Sequence, residues 1–207
     1  DVAVRGEAYH SVSSEFMDEW RLPGDRIGQQ WGDRFVREEG YLRLLPRAIA
    51  ALCEKTGLAP EDFQKVVYNG IDGRTHSMAA RKMGFDYSGQ VQDPLYGAVG
   101  NTGAASAPMM LVAALESAKA GDRILLANYG DGVDAFVLTV TEKIERIRNR
   151  RGVTGHLHSK MTLPSYGKYL HFRDLMTWEV DRRPPPRTSL THYYRESDQL
   201  FGLVGQR

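Results

Sequence analysis

Apolar positions in this chain fall into short continuous runs separated by stretches of helical periodicity, the pattern of an α/β protein. Gln64–Tyr68 (QKVVY) and Ile124–Asn128 are runs too short and too apolar for helices, and are predicted as buried strands. Ala135–Thr141 alternates and is predicted to return beside the second run, as a hairpin across Tyr129–Asp134. Between the runs, Tyr41–Lys55 places Ile49, Leu52 and Cys53 on one helical face, with Gly57 as its stop. Pro46 lies inside that stretch and is expected to restart or kink the helix. Arg74–Met83 is predicted as a second helix closed by Gly84, and a third starts near Ser106, with Pro108 tolerated in its first turn. Residues 1–38 mix aromatic and charged residues and are punctuated by glycine, which predicts short helices and loops. Beyond Glu142 the chain becomes basic, and RRPPPR at 182–187 has the composition of a stiff extended linker.

Composition narrows the class without naming a function. The chain has 207 residues, 42% of them hydrophobic, enough for one sizeable core and a tail. Lys plus Arg number 27 and Asp plus Glu 26, so charge balance demands neither nucleic acid nor an anionic membrane as partner. The lone cysteine, Cys53, rules out an internal disulfide framework and fits a reducing, cytoplasmic compartment. No stretch approaches a membrane span. The chain begins at Asp1 rather than Met, as expected of a piece of a longer polypeptide.

The candidate chemistry clusters at two turns. In GNTG, Asn101 stands ahead of an apolar helix, where its amide can hold a carbonyl oxygen or a water. An asparagine there also suits a helix cap or a left-handed turn, the commoner use of the residue type. The YGDGVD turn offers backbone N–H groups to an oxyanion, through Tyr129, Gly130 and Gly132, or is an ordinary hairpin connection. Asn69, Asp72, Arg74 and His76 follow a strand, and ligands of open α/β sheets bind at that end of the strands. His76 is the residue there that titrates near neutrality, and so the candidate general base; the alternative is a solvent or interface histidine. His156 and His158 alternate as on a strand but lack further ligands at metal spacing. Lys143–Arg151 suits a phosphate, and better suits a solvated helix face.

GNTGAASAP, a helix, then KAGDRILLANYGDG and a strand, together resemble the C-terminal half of the thiolase superfamily. The style is that of ketoacyl-synthase type III and the hydroxymethylglutaryl-CoA synthase group. The upstream helix–GLAPEDF–strand–turn–helix and SYGKYLHFRD agree, so the resemblance covers roughly residues 15–174. It implies a βαβαβαββ half, residues 1–174, paired with a sister half in a five-layered α/β/α/β/α fold, with 175–207 as an extension. It further implies condensation of a coenzyme A or carrier-protein thioester, with no cofactor bound by this chain. Asn101 takes the family's asparagine position, flanked by Gly100, and Tyr129–Gly132 the oxyanion loop. The partners implied are an N-terminal half carrying the nucleophilic cysteine, a second copy of the complete enzyme, and a zinc-ribbon/OB-fold module that would hold the zinc. The sequence departs from the family at Asn69, which stands where a histidine is expected. Asparagine takes up no proton at neutral pH, which leaves open whether His76 substitutes, no base is needed, or condensation is lost.

Overall fold

The computed structural model describes residues 2–176, which divide into two units between Lys160 and Met161. In chain order the first unit contains β1 (Val4–Ser13), β2 (Glu19–Trp20), β3 (Gln29–Gln30), α1 (Asp33–Phe35), α2 (Leu42–Thr56) and β4 (Lys65–Tyr68). There follow α3 (Gly73–Met83), α4 (Tyr96–Val99), α5 (Ser106–Ser117), β5 (Arg123–Gly130), β6 (Gly132–Val140) and α6 (Gly152–His158). The described part of the second unit holds α7 (Tyr166–Phe172), capped at its start by the Ser165 hydroxyl accepting from Lys168 N. The proline-rich linker at 182–187 lies outside the described residues, as does nearly all of the 175–207 extension.

One mixed sheet, in the order β1-β6-β5-β4, organises the first unit. β4 and β5 run parallel, while β5–β6 and β6–β1 are antiparallel. A parallel bridge between Val66 and Val91 extends the sheet beyond β4. Period-2 alternation sends Leu125, Ala127 and Tyr129 to one face, where Leu45, Ile49 and Leu52 of α2 cover them. Ile124 and Val67 point to the other face, beneath Met110 and Ala114 of α5. Each such fully buried aliphatic side chain contributes about 1.5–3 kcal/mol, so two covered faces make the sheet the core. The predicted strands and the three long helices are all present.

Three expectations are corrected. Residues 1–38 are not merely loops and short helices, because β1 is a ten-residue strand paired along β6. Its sequence, VRGEAYHSVS, is half-exposed on an edge and carries little apolar signal; the ladder with a strand some 130 residues away makes it a strand. Pro46 lies inside α2 instead of restarting it, and a π-helical turn, Val36–Tyr41, leads directly into the helix. The Leu42 carbonyl, which an N–H at position 46 would have satisfied, accepts from Lys82 Nζ at 2.7 Å instead. Finally, the hairpin is tighter than a six-residue turn: Gly130 pairs with Gly132, so Tyr129 and Gly132 are strand residues. Gly132 has φ +130° and lies against the Val12 carbonyl, where any Cβ would overlap it.

Candidate functional site

Asn69, just past the end of β4, and Asn128, on the neighbouring strand β5, line the same cavity. Tyr68 pairs with Ala127 in the parallel β4–β5 ladder, so Asn128 continues the face of Leu126, and Asn69 follows the last residue of β4. α5 covers that face lower down, and the loop entering α5 carries Asn101. These three asparagines, with Tyr129, Gly130 and Gly103, line one cavity of about 220 Å³. Its remaining wall includes Asp18, Glu19 and Gln30 from the N-terminal arm, and Gly70 and Ile71 from the turn after β4. The sheet's carboxyl end therefore meets the glycine loop where the sequence placed the chemistry.

The three amides are held differently. Asn69 Nδ2 donates to Tyr129 O at 2.8 Å and its Oδ1 accepts from Tyr129 N at 2.7 Å. The side chain thus imitates a strand neighbour and joins the ends of β4 and β5. Its backbone carbonyl accepts from the buried Tyr41 hydroxyl at 2.8 Å, and the Tyr41 ring meets Tyr129 edge-on at 5.3 Å. Asn101 is exposed; its Oδ1 accepts from Gly103 N at 2.9 Å, an Asx turn that leaves Nδ2 as a donor. Asn128 Oδ1 is buried without a hydrogen-bond partner.

Of the residues singled out in the sequence, Asn69, Asn101, Tyr129 and Gly130 are brought together. The others are not among the cavity lining. Gly100 adjoins Asn101 and turns the chain with φ +73°, Gly132 is buried under Val12, and Arg74 is exposed on α3. His76 is a core residue, neither a base at the cavity nor a solvent or interface histidine. It is fully buried, Nε2 lies 3.0 Å from the Tyr68 carbonyl, and its ring stacks on Tyr68 at 4.2 Å. Burial pulls its pKa down to about 4, against the opposing bond to Tyr68, so the ring is neutral at neutral pH. The Tyr129 N–H is not available to an oxyanion, since Asn69 occupies it. Burial, then the neighbouring carboxylates of Asp18 and Asp131, push the Tyr129 phenol above its ordinary value.

The turn before α3 is built as firmly. Asp72 caps the helix, accepting from Thr75 N at 2.9 Å and from the Thr75 hydroxyl at 2.6 Å. Partial burial opposes the Asp72 charge, but these bonds outweigh it and hold the carboxyl below its usual range.

Sequence reasoning missed the arm residues Asp18, Glu19 and Gln30, because the β1–β6 ladder, ending at Ser13–Gly132, brings that segment to the sheet end and the β2–β3 pairing folds it back on itself. It also passed over Asn128, as the polar end of an apolar run, although its parity with Ile124 was legible. The basic stretch after Glu142 proves partly structural: Arg148 donates to the carbonyls of Glu116 at 3.0 Å and Ala118 at 2.7 Å, closing the end of α5. His156 and His158 lie on α6 rather than a strand, and no group of metal-ligating side chains occurs among the described residues. Among the same residues no helix is long and apolar enough to cross a membrane.

Comparison with known proteins bears on the family and the fold. Residues 53–141 match the family described as 3-oxoacyl-[acyl-carrier-protein] synthase III, C terminal. The hydroxymethylglutaryl-CoA synthase of Methanosarcina mazei is 34% identical over 171 residues, covering 82% of this chain and 49% of that protein. That of Methanopyrus kandleri is 33% identical over 165 residues, covering 79% and 47%. The chain thus spans about half the length of the curated relatives it matches. Among solved structures, a hydroxymethylglutaryl-CoA synthase complexed with CoA superposes with a TM-score of 0.64 at 17% identity, covering 85% of this chain and 48% of that one. The 3-oxoacyl-(acyl carrier protein) synthase III of Aquifex aeolicus VF5 gives 0.56 at 22%, covering 67% and 46%. The α/β/α half-fold and the sequence relatives agree: the chain belongs to the thiolase superfamily of condensing enzymes, corresponding to their C-terminal half.

Proposed function

We propose that this chain forms the C-terminal half of an acyl-CoA or acyl-carrier condensing site of the hydroxymethylglutaryl-CoA synthase/ketoacyl-synthase type. The observation that carries the reading is the convergence of Asn69, Asn101, Tyr129 and Gly130 on one cavity. In this reading an N-terminal half supplies a cysteine thiolate. The thiolate attacks the thioester carbonyl, the acyl group passes from the coenzyme A sulfur to the cysteine sulfur, and coenzyme A leaves as its thiolate. Asn101 Nδ2, with its oxygen tied to Gly103, is aimed as a donor to the thioester or enolate oxygen where negative charge develops. Asn69 serves as a strut that sets the floor of the site, in the position where the family carries histidine. The complete enzyme would pair two copies and work with a zinc-ribbon/OB-fold module as acyl-CoA-binding partner.

A second reading, a thiolase-like subunit that binds acyl-CoA or scaffolds an active partner without catalysis, is favoured by one observation. Asn69 spends its whole amide on Tyr129, and no described residue places an imidazole in the cavity. Mixing the chain with the cysteine-bearing half and an acyl-CoA separates the two readings. A cysteine mass shift equal to the acyl group supports the enzyme. Tight association with no mass shift supports the scaffold.

A further inference from the structure

The loop that carries Asn101 to the cavity has little of its own to hold it in place. Residues 97–101 are exposed, and Gly100 is left-handed at φ +73°. On the far side the loop is anchored at the start of α5, where Ser106 and Ala107 are buried. On the near side, Tyr96 is the last residue before Asn101 that reaches the interior. Its ring is seated on the turn that follows Asn69: it meets His76 edge-on at 6.4 Å, and its hydroxyl is buried against Gly70. A Cβ on Gly70 would lie 2.8 Å from that hydroxyl, 3.1 Å from His76 Cδ2 and 3.2 Å from the Tyr41 hydroxyl. Gly70 does not have a positive φ, so left-handed geometry is not what calls for glycine there; the glycine leaves room for the phenol. Gly70 also lines the cavity beside Asn69, so the Tyr96 side chain reaches from the Asn101 loop to the cavity floor.

The backbone is bent out of its ordinary range to make that reach. Leu95, immediately before Tyr96, has φ +63° and ψ 13°, a left-handed conformation that side-chain-bearing residues rarely adopt. Asp93 Oδ1 accepts from Leu95 N at 2.7 Å and holds the bend. At the other end of α4 the Tyr96 carbonyl accepts from Gly100 N at 3.0 Å, one residue short of Asn101. Strain of this kind persists where the surroundings over-determine it, and it clusters at functional sites.

Resting on the reading of the cavity as a thioester site, we propose that Tyr96 is a positioning residue for Asn101. Its ring, seated on Gly70 and His76, fixes the loop relative to the floor, and its carbonyl passes that constraint to Gly100 and so to Asn101. Tyr96 is not part of the cavity lining and acts through Asn101. A displacement of about 1 Å in a catalytic group is enough to cost about 10²-fold in rate, so the anchor of an otherwise exposed loop carries weight in turnover.

The test is acyl transfer by the chain assembled with the cysteine-bearing half, followed against acetyl-CoA concentration. Tyr96→Leu shortens the anchor, and Gly70→Ala pushes the ring off its seat from the other side. Each should lower kcat about tenfold or more with KM within about twofold of the parent. With Asn101→Ala already in place, adding either change should cost less than about twofold, because both then remove the same interaction. An equal loss with and without Asn101→Ala overturns the proposal and leaves the thioester reading standing, and so does a folded Tyr96→Leu enzyme with the parent's kcat. If Tyr96→Leu fails to fold, Gly70→Ala decides by the same two comparisons; if both fail to fold the proposal is overturned, since the contact then serves the core alone. A parent assembly that transfers no acyl group, or an Asn101→Ala assembly as fast as the parent, overturns the reading of the site itself, and the role of Tyr96 with it.

Discussion

Two turns face each other across the cavity, and both present an asparagine. At the turn after β4, Asn69 bonds both backbone groups of Tyr129, its carbonyl takes the Tyr41 hydroxyl, and Asp72 locks the following helix. At the loop before α5, Asn101 is exposed and tied only to Gly103, between glycines with φ +73° and +59°. One turn is a welded floor and the other an open rim. The same side chain does opposite work in the two places: on the floor its amide is consumed by the fold, and on the rim a donor is left over for a ligand. A residue's type says what it is able to bond, and its neighbours decide whether anything is left to bond with.

This contrast is breakable by substitution. Asn69→Ala should leave the Tyr129 N–H and carbonyl unpaired and cost about 3 kcal/mol, read as a lower urea midpoint. A loss below about 0.5 kcal/mol would show that the floor is not held by this side chain. Asn101→Ala should do the reverse. Acyl transfer by the assembled enzyme should fall about 10²-fold or more, as for loss of one oxyanion-stabilising donor, while stability changes by less than about 0.5 kcal/mol. A large stability loss with normal turnover would exchange the roles of the two turns.

The floor should also respond to pH. The folded-state pKa of His76 is about 4, below its ordinary 6.5. An unfolded chain therefore takes up a proton there before the folded one does. Stability from this group is complete above about pH 6.5, falls as the pH drops toward 4, and changes no further below that. The full loss is at most about 3 kcal/mol. Urea titrations from pH 7 to 4 should show a shallower decline in His76→Gln than in the parent; equal slopes would remove the buried histidine from the account. The smallest effect is expected at the helix cap, where Asp72→Ala should cost about 1 kcal/mol, less than the strut does.

Much of this was legible from local pattern. The runs QKVVY and ILLAN, the stops at Gly57 and Gly84, and the GNTG loop ahead of α5 are set by short-range rules. Such rules are periodicity, the left-handed glycine, and the limits on helix starts, and the structure agrees at each. β1 was hidden because an edge strand with one exposed side needs no apolar alternation of its own. Lys82 was invisible as the group that completes the Leu42 carbonyl, since 40 residues separate the pair. His76 looked available because composition cannot tell a helix's buried face from its wet one when the covering rings come from Tyr68, Tyr87 and Tyr96.

The sequence by itself determined β4, β5, β6 and the three long helices, and that two glycine turns would lie at the ligand end of a sheet, because these follow from local sterics and periodic burial. Only the tertiary structure decided which asparagine is spent, which is free and which is unpaired. That outcome depends on the pairing of β4 with β5 and on the return of the N-terminal arm, and hydrogen-bond supply at a site is a property of the whole neighbourhood rather than of any one residue.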